Sequence, residues 1–169
     1  MTEVTKVTIW FTIGVMLKLA ALLLFSSVVL SAVELPSKKY LNLAAIKTLV
    51  SAAEAEAQKR NVQVTICIVD ESGNLLFLQK ADGASLNTIQ FAQKKARHSA
   101  AFRSPSKNGA DQLKRGEMGI LAYPDGFPNQ GGLPIKVDGQ TLGGMAASGA
   151  ASEVDEAIVQ VAIDALLAK

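Results

Sequence analysis

The chain has a single histidine, His98, and its neighbours give that side chain the richest chemistry in the sequence. It lies in a stretch that reads as helix over Leu86–Phe102, ended by Pro105, because the residue before a proline avoids the α region. At about 100° per residue, His98 projects beside Phe91 and Phe102, with Lys94 and Lys95 flanking, while Ala92, Ala96 and Ser99 share the other, closely packed face. This phasing predicts a histidine outside the deepest core. An imidazole between two phenyl rings and two ammonium groups has the parts of a haem site: an axial nitrogen, apolar walls for the macrocycle and cations for the propionates. The same spacing also suits a surface histidine on a basic helix, and spacing alone leaves both readings open.

Other chemistries are less well supported. Ser148-Gly149 is not set in a G-x-S-x-G elbow, and His98 has no evident Asp partner, so a serine-hydrolase triad is not expected. Gly143, Gly144 and Gly149 lack the Lys of a phosphate loop and the G-x-G-x-x-G spacing, and read better as sites of close packing at a strand end. Asp155 and Glu156 fall in the first turn of a final helix, where carboxylates favour the helix dipole, so an acid/base pair is the secondary reading. One Cys and one His cannot build a Cys/His zinc site or an internal disulfide. Cys67 reads as a small buried hydrophobe, with a bridge between subunits as the alternative.

The elements that must position these residues are legible from periodicity. Leu41–Arg60 carries apolar residues at helical spacing, with Asn42 as a cap. Val62, Val64, Ile66 and Ile68 alternate with Gln63, Thr65 and Cys67, and Ser72-Gly73-Asn74 turns the chain into a second strand, Leu75–Gln79. A short helix is expected at Lys107–Lys114. Gly116–Gly132, with Tyr123, Phe127 and two prolines, reads as a long surface loop that could act as a lid. Leu133–Val137 and Gln140–Ala147, joined at Asp138-Gly139, form a second hairpin. Ser152 is expected to cap a last helix with Val154, Ile158, Val161, Ala165 and Leu166 facing the core. Turns this short demand antiparallel neighbours, so the class is α+β.

The N-terminus carries an apolar run, Leu19–Leu30, preceded by Lys18 and followed by Ser31 and Ala32, which predicts a signal peptide over residues 1–31 with cleavage after Ser31. Met16-Leu17-Lys18 before that run suggests Met16 as the true start. A span over Ile9–Leu30 is the rival reading, but Lys18 near its middle makes it costly, so no stable membrane anchor is expected after cleavage. The working unit is then a single domain, 32–169, exported to the periplasm or the extracellular space. Formal net charge is +2 for the whole chain, which leaves no electrostatic footprint for nucleic acid.

Four landmarks in order carry a family resemblance: Val69-Asp70-Glu71-Ser72-Gly73-Asn74; Ala92-Gln93-Lys94-Lys95-Ala96 leading to Ala101-Phe102; Gly131-Gly132-Leu133-Pro134-Ile135; and Ser148-Gly149-Ala150 followed by Asp155-Glu156. Through them the run from Leu41 to Lys169 resembles the GlcG/HbpS-like proteins, which include exported haem-binding proteins and a domain found at the end of some corrinoid adenosyltransferases. The resemblance implies a profilin-like antiparallel sheet of about five strands with helices on both faces, and assembly into homo-oligomers. It also favours haem as ligand, although relatives often carry Thr where this chain has His98, a departure from the family pattern that would strengthen iron ligation. Joined to the residue reading above, it gives an exported haem-binding protein with His98 as iron ligand, Phe91 and Phe102 against the porphyrin, and Lys94, Lys95 or Arg103 pairing with propionates. The alternative is a protein acting on a small organic acid through the Gly116–Gly132 loop, the Gly131-Gly132 amides as an anion nest and Asp155 or Glu156, although no nucleophile–base pair marks it as an enzyme.

Overall fold

The computed structural model describes Met16 and residues 33–168. The chain divides into two compact units, Met1–Ser37 and Lys38–Lys169. In the first unit, residues 33–37 have no regular structure. The expected signal peptide, its start at Met16 and its cleavage after Ser31 concern residues that, Met16 aside, lie outside the described ones. Among the described residues no helix is long and apolar enough to cross a membrane.

The second unit runs α1 (Leu43–Lys59), β1 (Thr65–Asp70), β2 (Leu75–Lys80), α2 (Thr88–Phe102), α3 (Lys107–Lys114), a 3₁₀ helix (Met118–Ala122), β3 (Gly132–Val137), β4 (Gln140–Ser148) and α4 (Ser152–Leu167). Asn42 caps α1 as expected, its side chain accepting from Ala45 N–H at 2.8 Å. Both hairpins form. Asp138 and Gly139 both have positive φ (49° and 77°), the geometry that matches a two-residue turn to the twist of its strands. Asp70 organises the other turn, accepting from the backbone of Ser72 and Asn74.

All strand pairs are antiparallel, in the order β2-β1-β4-β3. The described residues hold four strands, where about five were expected. The chain between α2 and β3 goes instead into α3 and the 3₁₀ helix, and Pro124 and Pro128 there cannot donate to a ladder. Pro134 is tolerated in β3 because that strand is an edge.

Helices cover both faces. Ile66, Ile68, Ile135, Met145 and Ala147 pack with α1 and α4 in the larger core. The opposite face of the same strands, Cys67, Val69 and Ala146, meets Ala92, Ala96 and Ala100 of α2. Cys67 is fully buried as a free thiol, and burial pushes its pKa up to about 12, so it is withheld from any bridge between folded subunits. The α2 interface is thin because its side chains are small and the strands beneath carry glycine. A Cβ on Gly144 would collide with the carbonyl of Ala96, and one on Gly132 would crowd Ser99 Oγ. This close approach fixes α2, and with it His98, against the sheet.

Of the two expectations for α4, the cap fails and the core face holds in part. Ser152 is the first helical residue and makes no side-chain cap; Asp155 instead accepts from Ala150 N–H at 3.0 Å. Ile158 is buried and Val154 and Leu166 pack against the core as expected, but Val161 is turned outward, and the buried stripe also takes in Asp155, Val159, Ala162 and Ile163.

Candidate functional site

His98 sits on α2 away from the sheet, yet only 1% of it is exposed. The cover comes from chain further on. Its ring stacks on Phe102, with centroids 4.6 Å apart and planes at 28°. Tyr123 meets Phe102 edge-on at 5.6 Å. A Cβ on Gly109 of α3 would lie 3.0 Å from His98 Cε1, so α3 closes directly over the imidazole. Phe127 N–H donates to His98 Nδ1 at 3.0 Å. The expectation of a histidine outside the deepest core is therefore corrected: the helix phase is as read, but α3 and the loop fold back over that phase. Burial pushes the His98 imidazole below its ordinary range, against a smaller upward pull from Asp125.

The other predicted residues divide. Phe91, 36% exposed, makes its ring contact with Phe127 at 5.7 Å. Lys94 places Nζ 5.5 Å from the centre of the Phe127 ring, a cation–π contact. Phe127 thus links Phe91 and Lys94 to His98. Lys95 is drawn away: it is 2% exposed and donates to Asp155 Oδ2 at 3.0 Å and to Ala147 O at 3.2 Å, so its ammonium is neutralised inside the protein. Arg103 is exposed just past the end of α2, in a left-handed conformation. Asp155 is held by Lys95 and Ala150 N–H, and Gly132 N–H donates to Ser106 Oγ at 2.9 Å, so these two groups of the small-acid alternative are engaged within the fold. Glu156 accepts from Gln130 through Oε1 and leaves Oε2 buried without a partner.

Beside His98 lies an open cleft of about 410 Å³ between α2, through Gln90, Gln93, Lys94 and Arg97, and the loop Pro124–Phe127. Arg97 Nε donates to Asp125 Oδ1 across it at 2.8 Å. Sequence reasoning passed over Arg97 and Asp125. Arg97 lies one helical turn past Lys94 and should share its side, so spacing could have found it, whereas Asp125 belongs to a loop with no period to read. Among the described residues no three His, Cys, Asp or Glu side chains converge on a possible metal position.

A four-stranded antiparallel sheet between helices, with one histidine under a folded-back loop, defines a small profilin-like α+β domain. Residues 41–164 match the family described as haem degrading protein HbpS-like, and the chain belongs to that family. It is similar to Protein GlcG of Escherichia coli (strain K12), with 32% identity over 100 residues, covering 59% of this chain and 75% of that protein. Among solved structures it is similar to a PduOC:haem complex, with TM-score 0.71 and 29% identity, covering 75% of this chain and 95% of that one. It is likewise similar to a double mutant of HbpS from Streptomyces reticuli, with TM-score 0.72 and 26% identity, covering 82% and 95% of the respective chains.

Proposed function

We propose that this protein is an exported, homo-oligomeric haem-binding protein of the periplasm or the extracellular space, serving haem carriage, sequestration or sensing. The observation that carries the reading is the His98 imidazole, packed on Phe102 and joined through Phe127 to a cleft that holds Lys94 and Arg97. Imidazole, aromatic walls and cations are the donor set that haem requires, and they occur together on one side of α2. Haem, when bound, would supply an iron centre capable of redox and ligand-exchange chemistry. In this arrangement His98 would hold the iron, Phe91 and Phe102 would contact the porphyrin, and Lys94 would pair with a propionate. Lys95 has a structural role, since freeing it would strand the Asp155 carboxylate in the interior. Arg103 would serve only at the rim. The family membership and the likeness to a PduOC:haem complex support the ligand class. The apolar run Leu19–Leu30 supports export.

Titration of the chain from Ala32 onward with haemin tests the reading. A sharp Soret shift is expected, weakened in His98→Ala. A Soret spectrum identical in that variant would remove His98 as ligand, and no shift in either protein would remove haem.

A further inference from the structure

Four side chains on one side of α2 are engaged by two loop residues, Asp125 and Phe127. Arg97 Nε donates to the Asp125 carboxylate. The Phe127 ring lies under Lys94 Nζ and against Phe91. Phe127 N–H donates to His98 Nδ1. Each contact reproduces one that the haem reading asks of a ligand: a carboxylate on a guanidinium, a flat apolar body between a cation and a phenyl ring, and an occupant for the imidazole lone pair.

We infer that Asp125–Phe127 is an internal stand-in for the ligand, and that Arg97 receives a ligand carboxylate when Asp125 leaves it. This inference rests on the haem reading above. Arg97 is the cation suited to the exchange. Lys95 is buried against Asp155, and Arg103 lies beyond the helix end, whereas the Arg97 side chain is 49% exposed in the cleft and its partner Asp125 33% exposed. A pair so open to water is screened and weak, so replacing one carboxylate by another costs little. The planar guanidinium is also the better carboxylate receptor.

Displacement is required by the proton as well as by space. Because Nδ1 accepts from Phe127, the neutral ring carries its proton on Nε2. A lone pair becomes free either by taking Nδ1 from Phe127 or by moving the proton to Nδ1, and both break the Phe127 bond. Within the loop, Gly126 N–H donates to Tyr123 O at 2.9 Å and Gly126 packs on the Ile120 carbonyl with no room for a Cβ, contacts that would carry Ile120–Phe127 together when Asp125 is displaced.

The test uses the chain from Ala32 onward as wild type, Asp125→Asn, Asp125→Ala and Arg97→Gln, with thermal melts to show that each is folded. Haemin affinity is read by absorbance and the exchange rate of the Phe127 amide by NMR. Removing the stand-in carboxylate should tighten haemin roughly two- to fivefold, the value of an exposed pair, and speed exchange at Phe127. Arg97→Gln should also speed that exchange but weaken haemin. If the wild type binds and both Asp125 variants bind equally or more weakly, the stand-in is overturned while the haem reading survives. If none of the four proteins binds haemin, the haem reading fails and this inference fails with it.

Discussion

At the scale of the residue, His98 is where burial and function meet. Its imidazole is held neutral by its covering, and protonation would turn Nδ1 into a donor facing another donor, Phe127 N–H. Burial sets the folded pKa below the unfolded value near 6.5, so the unfolded chain binds the proton more readily. The stability contributed by the neutral ring is therefore complete above about pH 6.5 and declines as the pH falls through that value toward the folded pKa. Melting temperatures followed from about pH 8 to pH 5 should drop more steeply for the wild type than for His98→Gln. The difference between the two curves isolates the imidazole, since the carboxylates titrate in both proteins. Parallel curves would show that His98 has the same proton affinity folded and unfolded.

At the scale of the element, local features were legible. Asn42 and the Asp138-Gly139 turn act within a few residues, and the short helix expected at Lys107–Lys114 forms. What escaped was charge in the core. The buried stripe of α2 contains Thr88, Ala92, Lys95, Ala96 and Ser99, and that of α4 contains Asp155, Ile158, Val159, Ala162 and Ile163. Each stripe carries one charged residue. A search for apolar periodicity skips such a residue, so it phases α4 on Val154, Ile158, Val161, Ala165 and Leu166 without Asp155, and it leaves Lys95 to the ligand. Two charges at core positions of two helices stabilise the fold only by meeting, and Lys95 and Asp155 do. Lys95→Met alone should cost about 3–5 kcal/mol in urea denaturation by stranding Asp155, while Lys95→Met with Asp155→Leu should recover most of that loss. If the single and double variants unfold alike, the pair does not act as a unit.

At the scale of the whole domain, the two faces of the sheet divide the work. The larger core, under α1 and α4, carries the bulk of the apolar burial, while the thin alanine and glycine contact under α2 holds the candidate site at a fixed distance from the strands. The antiparallel class could be read from the two short turns. The lid over His98 could not, because it depends on which way a loop without periodicity folds back, and only its two aromatic residues, Tyr123 and Phe127, hinted at its anchors. The central strand has one more consequence. Cys67 lies on a central strand with its side chain under α2, so α2 must lift from the sheet before anything reaches its sulfur. A brief pulse of a thiol reagent would therefore mark only molecules that have come apart, and the marked fraction, weighed by mass spectrometry, would serve as a built-in gauge of opening. Labelling without denaturant as fast as that of the unfolded chain would show that α2 lifts freely from the sheet.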